Sequence, residues 1–279
     1  MNVEKHRPFL KWAGGKYRLI PEITKHLPKG KCLVEPFVGA GSVFLNTDYE
    51  RYLLADVNPD LINLFNTVKN DVDRYVAEVA VIFSDKFANS DTFYYQRRQE
   101  FNLCEDPFRR SVLFLYLNRF GFNGLCRYNK KHQYNVPFGD YKRPYFPEKE
   151  LYFFSKKAQK AQFICADFEQ TFAYLEKHPD DYVVYCDPPY APLIQSTNFT
   201  SYSSGGFSMG QQQQLAEYAK QLASKNTPVM ISNHDTVFTR EIYQESKIVS
   251  FPVQRFIGQT TESRVKVNEL FALFTATGL

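Results

Sequence analysis

The spacing of apolar positions changes along the chain, and the changes mark out elements. Cys32-Leu33-Val34 is a short apolar run, Phe37-Val38-Gly39-Ala40-Gly41-Ser42 interrupts it with glycines, and Val43-Phe44-Leu45 resumes it. Tyr52-Leu53-Leu54-Ala55 follows and closes on Asp56. Short apolar runs bounded by turn residues read as buried strands. The order therefore predicts strand, glycine turn, short helix, strand, the opening of a parallel α/β sheet. From residue 58 to about 141 the texture is different. Leu61, Ile62, Leu64, Phe65 and Val68 recur at helical spacing, as do Val112, Leu113, Leu115, Tyr116 and Leu117. Residues 118–145 are rich in Asn, Gly, Tyr, Phe and Arg, which predicts turn and hairpin rather than helix. Strand-like runs return at Tyr182–Cys186 and 229–231, with a last strand expected at 268–275. The glutamines 211–214 predict the start of a helix through Leu215, Tyr218 and Leu222. A sheet interrupted by a mostly helical insertion is the expected plan, with no internal repeat.

Composition narrows the class. A chain of 279 residues, 44% hydrophobic and 23% charged, fits one large globular domain or a domain carrying an insertion. The longest apolar stretches, such as 111–117, are far too short to span a bilayer. The start, Met1-Asn2-Val3-Glu4-Lys5-His6-Arg7, has no apolar core behind it and does not read as a signal peptide. Cys32, Cys104, Cys126, Cys165 and Cys186 are odd in number and contain no CxxC pair. That argues against disulfides and structural zinc, and predicts a reduced, cytoplasmic protein without a metal. The net charge of +4 is unevenly spread: residues 97–143 hold ten Lys and Arg against four acids, an excess of +6, leaving −2 elsewhere. Such a field fits a polyanion contact surface. A solvated helical face fits it equally well.

Two local motifs carry chemistry. A glycine turn after a strand lets backbone N–H groups approach a ligand, and an acid ending the next strand can hold a ribose through both hydroxyls. Gly39, Gly41 and Asp56 match that pattern, although Phe44 stands where a dinucleotide fingerprint has its third glycine. The turn alone is weak, since glycines also simply shape loops. The second motif is Asp187-Pro188-Pro189-Tyr190, directly after the expected strand Tyr182–Cys186. Two prolines supply no N–H, so the corner presents acceptors, with a carboxylate at the edge where open α/β sheets bind ligands. Methylating an aromatic amine needs such acceptors, because the nitrogen lone pair is delocalised into the ring. The Asp187 side chain and the Pro188 carbonyl would engage both N–H bonds and stabilise the positive charge of transfer, with Tyr190 stacking on the base. Extruding that base from a duplex costs roughly a few kcal/mol, and stacking returns ~1–3 kcal/mol. In isolation, a double proline after a strand is also a rigid turn with Asp187 as a helix cap.

With these motifs in hand, the chain resembles the Dam family of DNA adenine-N6 methyltransferases. The resemblance rests on Phe9-Leu10-Lys11-Trp12-Ala13-Gly14-Gly15-Lys16, Glu35-Pro36-Phe37-Val38-Gly39-Ala40-Gly41-Ser42, residues 117–146 and 187–190, in the alpha-type order of amino methyltransferases. It implies a mixed seven-stranded Rossmann-like sheet with an antiparallel final hairpin. The catalytic domain would comprise residues 1–57 and 142–279, and a target-recognition insertion 58–141. It implies S-adenosyl-L-methionine as methyl donor, S-adenosyl-L-homocysteine as product, and duplex DNA containing GATC as substrate, acted on by a monomer. The implied cofactor residues are Trp12, Lys16, Phe37, Gly39, Gly41, Ser42, Asp56, Asp167, Phe168 and Asp187, and the catalytic ones Asp187, Pro188 and Tyr190.

Within the insertion, the resemblance assigns Arg127 to a guanine edge, and Leu125 and Pro137 to a thymine methyl. It assigns Phe122 and Asn123 to the space left by a flipped base. Lys11, outside the insertion, would read a base and Tyr141 would add a further contact, and Arg98, Asn129 and Arg119 would hold phosphates or position the hairpin. Asp140 stands where the family commonly has a basic residue, which would weaken non-specific hold on DNA. Transfer would be direct: neither Cys126 nor Cys186 follows a proline, as a cytosine-C5 nucleophile typically does. An RNA or protein-glutamine substrate, or a DNA-binding regulator without the chemistry, are the alternatives.

Overall fold

The computed structural model describes residues 5–142, 144–193, 207–256 and 264–276, with backbone alone for 254–256 and 264–266. Its elements run α1 (Ile20–His26), β1 (Cys32–Glu35), α2 (Ser42–Leu45), β2 (Arg51–Asp56), α3 (Pro59–Asn70), α4 (Val72–Ser84), α5 (Asp91–Leu103) and α6 (Pro107–Phe120). They continue with α7 (Glu148–Ala158), β3 (Ala161–Cys165), α8 (Phe168–Lys177), β4 (Tyr182–Cys186), α9 (Met209–Ser224), β5 (Val229–His234), α10 (Val237–Ile242), β6 (Lys247–Phe256) and β7 (Arg264–Phe274). The strands form the expected mixed seven-stranded sheet, in the order β3-β2-β1-β4-β5-β7-β6. β1, β4 and β5 are buried at every position, as strands covered on both faces must be.

Parallel pairing sets Val34 opposite both Leu53 and Val184, so the chain leaves β1, β2 and β4 at one edge of the sheet. Along the chain the glycine turn follows β1, Asp56 ends β2 and Asp187 follows β4. β7 breaks the parallel run: it lies antiparallel to β5 on one side and to β6 on the other. The apolar pattern at 229–231 and 268–275 anticipates β5 and β7. β6 escapes it because Pro252 interrupts the run, and a proline is tolerated here because β6 is the outer strand.

By compactness the chain divides into two units. One comprises Met1–Lys25, Val38–Asp48 and Asp56–Cys165, the other His26–Phe37, Tyr49–Ala55 and Ala166–Leu279. The first is cored by rings: Phe9, Phe44, Phe65, Phe154 and Phe163 are all buried, and Phe154 touches each of the others. Its central helix, α6, is buried at every position from 111 to 120, which removes the polar stripe a surface helix would show. It therefore continues to Phe120, beyond residue 118 where the composition predicts turn. The hairpin after it is held by two isolated bridges, Gly121 to Phe138 and Tyr128 to Tyr134, rather than by a continuous ladder. In the second unit, α9 begins at Met209. Ser208 and Gln211 cap each other there, so the glutamine run starts within the first turn, at the third residue of the helix.

Candidate active site

The Asp-Pro-Pro-Tyr corner leaves β4 into a set of polar side chains from β5, α9 and β7. Ser232, fully buried on β5, lies 2.9 Å from Asp187 Oδ1 and 3.3 Å from the Cys186 carbonyl. Its single hydroxyl hydrogen goes to the nearer, charged acceptor, and Tyr185 Oη donates to Ser232 Oγ at 3.2 Å. The segment after the prolines is fixed through its backbone. Gln212 Nε2 donates to the Pro189 carbonyl at 2.7 Å, the Ala191 N–H donates to Asn233 Oδ1 at 2.9 Å, and His234 Nδ1 donates to the Ala191 carbonyl at 2.6 Å. Asn233 Nδ2 in turn donates to Gln212 Oε1 at 3.0 Å and Tyr243 Oη at 3.1 Å. Tyr190 donates to the buried Glu269 carboxylate at 3.0 Å, and its ring meets His234 in a T-shaped contact at 4.9 Å. Burial, and then the Asp187 charge, push the Tyr190 phenol far above its ordinary range. Among the described residues no donor occupies the Pro188 carbonyl. Ser232, Asn233, His234, Gln212 and Glu269 are not named by the sequence reading. The one signal for them is the polar triplet Ser-Asn-His ending an otherwise apolar strand.

Other residues expected at a cofactor site sit on the same unit as this corner. Phe37 stacks on Phe168 with centroids 5.8 Å apart, and Phe207 meets both rings edge-on. Asp167 caps α8 in a reciprocal pair with Gln170, so its carboxylate already accepts a helix N–H.

The glycine turn belongs to the first unit. Gly39 and Gly41 both have positive φ, 49° and 74°, as the turn requires. A Cβ at Gly39 would lie 2.9 Å from the Trp12 indole nitrogen, so the glycine is what lets the indole lie against the turn. Asp56 accepts the Gly39 N–H at 3.2 Å on one oxygen and the Asn58 N–H at 2.9 Å on the other. Burial raises its pKa, opposed by those backbone donors. Lys16 is buried and donates to the Gly14 carbonyl at 2.8 Å, and Ser42 is buried at the start of α2. Near Trp12 a cavity of about 380 Å³ is lined by, among others, Arg7, Lys11, Ser42, Arg119 and Glu150.

The hairpin residues fall into two groups. Phe122 (40% exposed), Asn123, Arg127 and Pro137 are outward, with Asn123 held left-handed at φ 52°. Leu125 is half-buried, and Arg127 is pre-oriented by Asn135, donating to its side chain at 2.8 Å and its carbonyl at 3.1 Å. The other group is structural in its contacts. Arg98 donates to the Val136 carbonyl at 2.9 Å, and Asn129 Oδ1 accepts the N–H groups of Lys131 and Gln133 across the turn. Arg119 is only 8% exposed and donates to the Tyr145 carbonyl at 3.0 Å. Lys11 Nζ lies 3.6 Å from the centre of the Tyr141 ring, which is half-buried. Asp140 is exposed at φ 46°. Among the described residues no group of His, Cys, Asp and Glu is placed to hold a metal, and no helix is long and apolar enough to cross a membrane.

Comparison with known proteins bears on this arrangement directly. Residues 12–257 match the family model described as D12 class N6 adenine-specific DNA methyltransferase. A DNA adenine methylase of Haemophilus influenzae is 58% identical over 98% of this chain and 95% of its own length. Those of Salmonella typhi and Escherichia coli K12 are 57% and 56% identical, each over 98% of this chain and 96% of its own length. The chain therefore belongs to the D12 class of N6 adenine-specific DNA methyltransferases.

Proposed function

We propose that the chain methylates adenine N6 within GATC duplexes, using S-adenosyl-L-methionine, as a monomer in the cytoplasm. The observation that carries the chemistry is the braced corner, in which Asp187 is oriented by Ser232 while Pro189 and Ala191 are tied down on both sides of Tyr190. An extruded adenine would donate its amino hydrogens to the Asp187 carboxylate and the Pro188 carbonyl. Both acceptors adjoin a segment tied down at Pro189 and Ala191, so they favour the charge developing on N6 with little reorganisation. Tyr190, held at its hydroxyl by Glu269, offers a rigid face to the base. Phe122 and Asn123 would fill the vacated stack, Arg127 would read guanine, Leu125 and Pro137 the thymine methyl, and Lys11 and Tyr141 would complete the readout. Arg98 and Asn129 would act through the hairpin they brace, and residues 58–141 would serve as the recognition insertion.

The residues present fit the donor. Each Asp56 oxygen takes one backbone N–H and retains lone-pair capacity, which suits the two hydroxyls of a ribose. Trp12 against Gly39, with Lys16, Gly41 and Ser42, suits close approach of a ligand to the turn. Phe37, Asp167 and Phe168 would border its adenine. S-adenosyl-L-methionine supplies an electrophilic methyl group on a sulfonium and leaves as S-adenosyl-L-homocysteine. No cysteine is required: burial pushes Cys126 up to about 12 and Cys186 far above its ordinary value, so neither is a ready thiolate.

The test is direct. Plasmid carrying the gene should resist enzymes cutting only unmethylated GATC and yield to those cutting only methylated GATC. Asp187→Ala should abolish labelled methyl transfer to a GATC duplex while melting as a folded protein, and near-normal transfer would refute the role. RNA and protein acceptors run in parallel should remain unlabelled.

A further inference from the structure

Lys11 lies far from the recognition hairpin in sequence, yet its backbone is held by one residue at the hairpin's root. Asn118 is 1% exposed, near the end of α6. Its Oδ1 accepts the Lys11 N–H at 2.9 Å and its Nδ2 donates to the Lys11 carbonyl at 2.7 Å. The side-chain amide thus pairs with residue 11 as a neighbouring strand would, across 107 positions. The second Nδ2 hydrogen reaches the Gly124 carbonyl at 3.3 Å, inside the segment that carries Phe122, Asn123 and Leu125. Both amide hydrogens and the oxygen are therefore engaged, and the inventory of that side chain is nearly complete.

Two further contacts fit Lys11 to the hairpin. Gly124 adopts φ 62°, and a Cβ there would collide with the Lys11 Cβ, so the lysine stem lies directly on the glycine backbone. At its far end Lys11 Nζ donates to the Arg119 carbonyl at 3.3 Å and rests over Tyr141. Burial, with Arg119 nearby, lowers the Lys11 pKa.

We infer that Asn118 is a specificity-determining positioning residue, which locks Lys11 and the 122–125 turn into one reading head through the Lys11 backbone and the Gly124 carbonyl. The inference rests on the proposal that Lys11 reads a base. A positioned contact to a base edge is worth roughly 1–3 kcal/mol of discrimination, or about tenfold and more in rate ratio. Loss of Asn118 should remove a similar factor while leaving the donor site untouched.

The test compares kcat/KM on a GATC duplex with that on duplexes carrying one substituted base in the site. It uses the unaltered protein, Lys11→Ala, Asn118→Ala and the double variant, with thermal melting and S-adenosyl-L-methionine affinity measured alongside. Asn118→Ala should lower the ratio of cognate to substituted rates about tenfold with donor affinity unchanged, and should lower it by a smaller factor when Lys11 is already alanine, since only the 122–125 turn then remains for Asn118 to position. A ratio that does not move, or one that falls by the same factor in both backgrounds, overturns the positioning role. If Lys11→Ala alone leaves the ratio unaltered, the base-reading assignment has failed, and the inference falls with it. Where Asn118→Ala does not melt cooperatively, Asn118→Asp carries the same comparison. It keeps the volume and the acceptor for the Lys11 N–H, but sets a carboxylate against two carbonyls.

Discussion

Asp56 is the residue at which protonation should be most readily measured. Desolvation raises its pKa, so the neutral form persists to higher pH than for an ordinary aspartate. The sign follows from the linkage of protonation to folding. With the folded value above the unfolded one, the ionised carboxylate costs stability at neutral pH, and that cost is relieved as pH falls through the folded value. A ribose needs the ionised acceptor, so donor affinity should move the opposite way and decline on acidification while other aspartates are still charged. Calorimetric titration across pH should record this decline, with Asp56→Asn binding weakly and without that dependence. An affinity flat down to the ordinary aspartate range would exclude Asp56 from the ribose contact. Asp56 and Asp187 can be picked out from the chain because each ends a run of apolar residues, a purely local signal. Ser232 and Glu269 cannot, since their partners lie 45 and 79 positions away and only the folded sheet brings them together.

The α3 start shows how one element joins the glycine turn to the hairpin within the first unit. Asn58 gives its backbone N–H to Asp56, accepts the N–H groups of Asp60 and Leu61 as the helix cap, and donates to Cys126 Sγ at 3.3 Å. Two residues on, Asp60 takes a bidentate pair from Arg110 and the Tyr128 hydroxyl at 2.6 Å. Asn58→Ala should therefore cost ~1 kcal/mol or more, the ordinary value of a lost cap, read as a lower urea midpoint with unchanged slope. An unaltered midpoint would show that the cap contributes nothing. Apolar spacing makes α2, α3, α6 and α9 and the strands β1, β2, β4, β5 and β7 legible, whereas it does not pick out α1, α4, α5, α7, α8, α10, β3 or β6. The hairpin is only partly legible. Its rings have no period, and it is held by side chains of α3 and α5, such as Asn102, which donates to the Tyr134 carbonyl at 3.1 Å. Two isolated bridges leave no ladder for a pattern to reveal.

For the molecule as a whole, charge governs non-specific attraction to DNA, and Asp140 acts against the +6 excess over residues 97–143. Its φ of 46° suits Asn or Asp better than most residues, so Asp140→Asn removes the charge with the backbone conformation kept. That variant should bind non-cognate duplex more tightly at low salt and methylate more sites per encounter, with the advantage fading as salt rises. Equal affinity at every salt concentration would show that Asp140 lies outside the field felt by DNA. The antiparallel β7 has a consequence for biosynthesis. It separates β5 from β6 but is translated after both, so a nascent chain that has only reached β6 holds two strands with no partner between them. Open strand edges invite pairing with other chains. Glu269 arrives with β7, so the hydrogen bond that Tyr190 gives it forms only once that strand has slid between β5 and β6, later than the bond from Ser232 of β5 that orients Asp187.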